Sequence, residues 1–190
     1  MKSKHILISA FIVMALAQLG APLAMIARHE NVLSNGTVYK FKTAPVDPDD
    51  PFRGKYVALS FEQRSVSCPE PEKLRRGETI YVRVKNGPDG FAVLGEASPN
   101  RPSEGDYFPA KVLYSHNKKV DITMPFDRYY LNEAAAPAAE EAYRKLNRRN
   151  GKNSPRDNTY VTIRIKDGAV VLEELYLDGV PIRDYLKAKP

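Results

Sequence analysis

The sequence predicts a mainly β protein made of antiparallel sheets, with an N-terminal transmembrane helix and one or two short soluble helices. Three observations lead to this fold class: a long uncharged apolar segment at the N-terminus, later segments in which apolar and polar residues alternate, and glycine-containing turns between them. Alternation is typical of a half-buried strand because successive side chains point to opposite faces of a sheet. Strands joined by short turns pair in the antiparallel sense.

The first element is an apolar segment, residues 6–27, that contains no charged side chain. A helix needs about 20 apolar residues to cross a bilayer, and this segment is long enough. A cleaved signal peptide is the alternative, because lysines at positions 2 and 4 and a small-residue site at 15–17 are typical of one. The apolar run continues beyond that site, which favours an uncleaved anchor.

The two lysines before the anchor predict its orientation, since positively charged flanks stay on the cytoplasmic side of a membrane. Residues 1–5 then lie in the cytoplasm, 6–27 cross the inner (cytoplasmic) membrane, and 28–190 form one extracytoplasmic, periplasmic domain. A domain of roughly 160 residues is large enough for a single core. The chain has a net charge of +6. Residues 1–27 hold two lysines and no acid, so the remaining chain has a net charge of +4. For an exported domain, this mild basic excess suits anionic lipid headgroups or wall polymers and predicts no nucleic-acid partner. The predicted contact with the bilayer itself is through the anchor.

The strand predictions rest on patterns with a period of two residues. The clearest covers residues 160–166, in which valine or isoleucine recurs at every second position. Asp167-Gly168 is a hairpin turn signal, and it predicts a return strand over 169–177. Further strands are predicted over 37–42, 81–85, 91–94, 108–115 and 120–124.

One soluble helix is predicted over 137–149. Pro137 suits the first turn of a helix, and Glu140 and Glu141 complement the positive end of the helix dipole. Basic residues near position 149 complement the negative end, and Asn150-Gly151 provides a stop signal.

Two parts of the chain resemble each other. Residues 81–94 have the pattern of strand, glycine turn and strand, as residues 160–172 do, and a Pro-Phe pair precedes both Tyr56 and Tyr130. The pattern indicates an internal duplication with copies near 45–116 and 117–190. The alternative is a chance likeness between two hairpin modules, because only two copies are a weak sign of a repeat.

Residue types that carry catalysis are sparse. Cys68 is the only cysteine, so no intramolecular disulfide can form, and His116 is the only histidine well beyond the anchor. No Gly-x-Ser-x-Gly or P-loop string occurs. A calcium loop starting at Asp47 would need a glutamate where Ala58 stands. We therefore predict no catalytic residue, no cofactor and no metal site, and we expect that the protein is not an enzyme.

The most distinctive segment is PVDPDDPFRGKYVALSF, residues 45–61. Its prolines stiffen the turn by fixing their own φ and by restricting the residues before them. Asp47 and Arg53 either shape this turn through side-chain contacts or form a recognition surface together with Tyr56. Gly54 permits a backbone geometry that a side chain would obstruct.

The alternation also predicts which side chains point inward. After Gly54, we expect Val57, Leu59 and Phe61 in the core, with Lys55 and Ser60 more exposed. Of the neighbours Tyr129 and Tyr130, one must point inward and the other outward.

This segment resembles the signature of the GDYXXLXY family, which is Gly-Asp-Tyr-x-x-Leu-x-Tyr after a Pro-Val-Asp-Pro turn. Gly54, Tyr56 and Leu59 match it, whereas Lys55 replaces the aspartate and Phe61 the last tyrosine. The resemblance spans most of the chain. It implies a membrane-anchored protein of no established activity, similar to the partners of multi-pass membrane proteins.

Together, these observations predict an accessory protein of unknown biochemical role that binds another membrane protein, a multi-pass one by the resemblance. An envelope saccharide- or lipid-binding domain is the alternative, suggested by the tyrosines and basic residues. The motif positions that we single out for recognition are Asp47, Arg53, Gly54, Tyr56, Leu59, Arg128, Tyr129 and Tyr130.

Overall fold

The computed structural model describes residues 2–44, 56–132, 134–149 and 159–188. The described helices are α1 (Lys2–Asn35), α2 (Ala136–Arg149) and α3 (Ile182–Ala188). The described strands are β1 (Thr37–Ala44), β2 (Tyr56–Ala58), β3 (Ser60–Phe61), β4 (Ser65–Ser67), β5 (Thr79–Asn86), β6 (Ala92–Ser98), β7 (Tyr107–His116), β8 (Lys119–Thr123), β9 (Arg128–Tyr130), β10 (Thr159–Lys166), β11 (Ala169–Leu177) and β12 (Val180–Pro181).

Helix α1 is one continuous helix that contains the predicted anchor. It is long and apolar enough to cross a membrane, with a mean hydropathy of 2.1 over its best window. A signal sequence near an N-terminus has the same properties, so the helix suggests anchoring without deciding between the two. The helix also extends beyond residue 27, where the predicted span ends, and continues to Asn35.

The described strands form two five-stranded antiparallel sheets and one two-stranded ribbon. Sheet I has the order β12-β11-β10-β1-β3, and sheet II has the order β4-β8-β7-β5-β6. The ribbon pairs β2 with β9. The prediction of a β-rich protein with antiparallel sheets is therefore confirmed, together with a long apolar N-terminal helix and two short further helices.

The core joins the two sheets through a cluster of four phenylalanines. Phe41 and Phe61 come from sheet I and Phe108 comes from sheet II, while Phe126 lies in the connection between β8 and β9. The ring of Phe126 lies 5.2 Å from both Phe41 and Phe61 and 5.5 Å from Phe108, measured between centroids. Such tilted and edge-on contacts are favourable beyond the burial of area. Phe126 therefore fixes the start of β9 against both sheets.

The local predictions agree well with the structure. Val57, Leu59 and Phe61 are buried and Ser60 is half-buried, as the alternation predicted, whereas Lys55 lies outside the described residues. Tyr129 is the inward member of its pair and Tyr130 the outward one. The predicted strands appear with ends shifted by at most four residues, and the return strand β11 has the predicted bounds.

The pairing registers show the likeness between the two halves. Hairpins β5–β6 and β10–β11 both contain a register shift within three residues after their tyrosine: between Val82 and Val84 in the first, and between Thr162 and Ile163 in the second. In sheet I the second hairpin pairs with β1, and in sheet II the first hairpin pairs with β7. The two hairpins thus have corresponding neighbours, but Tyr56 begins β2 whereas Tyr130 ends β9, so the two Pro-Phe segments do not lead into equivalent strands. The duplication stays a prediction.

Candidate recognition site

The β2–β9 ribbon brings together the two halves of the predicted motif. Tyr56 lies opposite Tyr130, Val57 opposite Tyr129, and Ala58 opposite Arg128. Because residues directly opposite each other share a face, Tyr56, Arg128 and Tyr130 lie on one side and Val57 and Tyr129 on the other.

The outer side of the ribbon forms a surface that we call the Tyr56–Arg128–Tyr130 platform. The rings of Tyr56 and Tyr130 lie 5.8 Å apart at an angle of 59°. The guanidinium carbon of Arg128 lies 5.0 Å from the centre of the Tyr56 ring. The Tyr130 side is open, since this residue is 63% exposed. The platform thus presents two aromatic rings and one cation to the solvent.

The charge of Arg128 is well stabilised on this surface. A hydrogen bond to Tyr130, with a smaller contribution from Asp127, raises the pKa of the guanidinium. The ion pair with Asp127 is loose, at 3.7 Å between Nε and Oδ1, with both side chains about half exposed. Exposed pairs of this kind contribute little. An incoming carboxylate can replace this weak pairing, because a guanidinium binds a carboxylate with two parallel hydrogen bonds.

The inner side of the ribbon is held by Tyr129. Its hydroxyl donates a hydrogen bond to Glu174 of β11, whose carboxylate also accepts the backbone N–H of Leu175 at 3.0 Å. Burial, followed by this bond to Glu174, raises the pKa of the Tyr129 phenol, and a hydrogen bond with Arg183 of α3 lowers it in part. Tyr129 therefore fastens β9 to sheet I and to α3.

Two further contacts fix the other strand of the ribbon. The backbone N–H of Leu59 donates to the carbonyl of Asp127 at 2.8 Å, and the Leu59 side chain is buried. Helix α2 packs against β2, and its Tyr143 hydroxyl donates to the carbonyl of Ala44 at the end of β1. Both strands of the ribbon are thus attached to the rest of the protein by hydrogen bonds and packing.

The eight predicted positions divide into three groups. Tyr56, Arg128 and Tyr130 form the platform, in which Tyr56 is half-buried and the other two are exposed, and the sequence indicated these residues only as separate motifs. Leu59 and Tyr129 are buried and act as structural supports. Asp47, Arg53 and Gly54 lie outside the described residues.

Sequence reasoning missed Glu174 and Arg183, the partners of Tyr129. They lie 45 and 54 residues further along the chain, in β11 and α3. No local pattern marks either residue. The signal that could have found them is the inward direction of Tyr129 itself, because a buried tyrosine hydroxyl needs a hydrogen-bond partner.

A cleft lies away from the platform. It has a volume of about 620 Å³ and separates the end of β6 from the chain that follows β4. Cys68 lines it but is itself only 2% exposed. The charged lining residues are Glu70, Lys73, Glu78, Arg83, Glu96 and Arg101. Within the described residues, no three His, Cys, Asp or Glu side chains come together as metal ligands would.

The comparisons with known proteins give one match. The model of the GDYXXLXY protein family matches residues 18–175, from the second half of the apolar segment to β11. No curated protein and no solved structure matches the chain.

Proposed function

This chain belongs to the GDYXXLXY family, and from that membership we propose that it is a membrane-tethered accessory protein that binds another membrane protein through the Tyr56–Arg128–Tyr130 platform. The observation that carries the proposal is a ribbon that presents the exposed side chains of Arg128 and Tyr130 beside the half-buried ring of Tyr56, while its inner side is fixed in the core. The anchor is α1, the N-terminus lies in the cytoplasm, and the domain lies on the periplasmic side of the inner membrane.

The composition of the platform supports a binding role. Tyrosine and arginine are enriched among the residues that dominate protein interfaces, because they combine a large contact area with polar groups. Tyrosine also loses little conformational entropy on binding. Since Tyr129 and Leu59 already fix the ribbon, a partner does not need to order it, and that lowers the cost of association.

Site-specific photo-crosslinking in native membranes tests this proposal. A photoreactive phenylalanine analogue at position 130 should form a covalent product with an integral membrane protein. The matched control is the same analogue at Tyr114, which is 61% exposed on β7 of sheet II. Equal products from both positions, or none from position 130, would contradict the proposal.

The orientation has its own test. Alkaline phosphatase joined after Pro190 should be active if the domain lies outside the cytoplasm, and green fluorescent protein joined there should be dark. The opposite pair of results would place the domain in the cytoplasm and contradict the orientation.

The second candidate function is the binding of an envelope saccharide or lipid headgroup in the cleft. Its volume of about 620 Å³ lies in the range typical of small-ligand sites. Its lining combines basic residues such as Arg83 and Arg101 with glutamates, which together offer donors and acceptors to the hydroxyls of a saccharide or to the polar groups of a headgroup. A ligand that binds the folded state must raise the melting temperature, and Arg83→Gln should abolish that rise. Screening of saccharide fragments and soluble headgroups without any such shift would reject this candidate.

A further inference from the structure

The anchor helix continues into the sheet without a linker. Asn35 ends α1, Thr37 begins β1, and Gly36 is the single residue between them. The N–H of Gly36 donates to the carbonyl of Val32 at 2.8 Å, and a Cβ at position 36 would lie 2.5 Å from that same oxygen. The chain therefore turns tightly from helix to strand at a position that no side chain fits.

The last turns of α1 are docked on sheet I. Val32 is 2% exposed, and the end of the helix contacts β10 and β11. The ammonium group of Lys166 donates to the side-chain carbonyl of Asn31 at 3.0 Å. From Lys4 to Asn31, by contrast, the helix is exposed along nearly its whole length. The helix thus projects from the domain instead of lying along it, and it is held there by packing.

The strand registers show which end of the domain is next to the helix. Thr37 pairs with Ile165, so the β10–β11 turn at Asp167-Gly168 lies beside the end of α1. At the other end of β1, Ala44 pairs with Ser60. Strand β3 is antiparallel to β1, so the chain from Ser60 back to Tyr56 continues beyond the far end of β1. The platform and the anchor helix therefore lie at opposite ends of sheet I.

We propose that α1 and the domain form one rigid unit, which we call the rigid mount. In this unit the β10–β11 hairpin turn faces the bilayer and the Tyr56–Arg128–Tyr130 platform faces away from it. Residues 28–35 add about 12 Å of helix beyond the predicted span. Strand β1, with eight residues, adds up to about 26 Å. The platform then stands as much as roughly 40 Å from the hydrocarbon edge by these two lengths.

This geometry defines the partner, given the proposed function of the platform. The platform lies at the end of sheet I that faces away from the bilayer, beyond the lipid-embedded part of any spanning helix. The partner must present an extramembrane loop or domain, with a carboxylate or another acceptor for Arg128 and apolar surface for the tyrosine rings. The occupant is therefore the extramembrane part of a membrane protein.

Energy transfer in nanodiscs tests the rigid mount without any partner. The full-length protein carries a donor dye on Asp167→Cys or on Tyr130→Cys, and the lipid headgroups carry the acceptor. Cys68 is buried, and labelling of the protein without either substitution shows how much dye reacts with it. We expect transfer several-fold stronger from position 167 than from position 130. A flexible Gly-Ser insertion between Asn35 and Gly36 should make the two efficiencies similar.

Equal transfer from both positions of the uninterrupted protein, or no effect of the insertion, would overturn the rigid mount. This failure is distinct from failure of the proposed function, because no partner takes part in the measurement. The nature of the partner is tested by mapping the peptide crosslinked to position 130. A peptide from an extramembrane loop supports the inference, and a peptide from a spanning helix contradicts it.

Discussion

Replacing Tyr129 with phenylalanine should loosen the ribbon without creating a cavity. The substitution keeps the ring, which is 5% exposed, and removes the hydroxyl that donates to Glu174. A hydrogen bond to a charged group contributes about 1.5–3 kcal/mol. Glu174 retains the N–H of Leu175 and is half-buried, so water compensates for part of the loss. We therefore expect the lower part of that range, about 1.5–2 kcal/mol.

The assay is thermal and urea unfolding of the full-length protein in detergent micelles. A loss of this size lowers the melting temperature by about 3–8 °C in a domain of this length. Tyr130→Phe is the matched control, since Tyr130 is exposed, and it should change the free energy of unfolding by less than about 0.5 kcal/mol.

A double-mutant cycle with Glu174→Gln isolates the interaction of the two side chains. If they interact as described, the two substitutions together should cost clearly less than the sum of their separate effects. Strict additivity, or equal effects of Tyr129→Phe and Tyr130→Phe, would refute the reasoning that this bond fastens the ribbon.

Three further predictions concern the turn, the platform and pH. Gly168 has φ +76°, and a Cβ added there would lie 2.6 Å from the Tyr107 ring, so Gly168→Ala should lower the free energy of unfolding by about 1–3 kcal/mol. The control Gly179→Ala, where φ is +78° but the space around the residue is open, should lower it by less. Arg128→Lys keeps the charge but loses the planar donor pair, so it should lower the crosslinking yield from position 130 several-fold. The control Arg76→Lys, at an exposed arginine, should leave that yield unchanged. Equal yields from the two variants would contradict the role of the guanidinium. Burial raises the pKa of the Tyr129 phenol above its unfolded value near 10, so the folded state keeps a proton that the unfolded chain releases. Stability should then fall as pH rises above about 10, and less steeply in Tyr129→Phe, as pH-dependent unfolding will show.

The elements that depend on local patterns were predictable. The alternation around Val57 fixed the inward positions, and the Asp167-Gly168 turn fixed the ends of the hairpin, because both signals lie within a few residues. The continuation of α1 to Asn35 was not predictable from hydropathy, since it depends on packing of Val32 against strands more than 100 residues away.

The platform likewise combines features that local patterns predicted with features that depend on distant parts of the chain. Tyr56 and Arg128 each stood in a recognised motif, but their contact depends on antiparallel pairing of β2 with β9 across some 70 residues. Alternation required that Tyr129 and Tyr130 differ in direction, without saying which is inward. Glu174 decides that, because it offers the tyrosine hydroxyl an acceptor inside the protein.

The pairing of β1 with β10 has a consequence for how the chain must be assembled. Strand β1 pairs with β10, so sheet I cannot close until the last third of the polypeptide exists. Contacts between residues this distant in sequence are slow to form because a long loop must first be closed. During synthesis, β1 is therefore made long before β10, the strand with which it pairs at the centre of sheet I, and it stays unpaired on that side until β10 has been made.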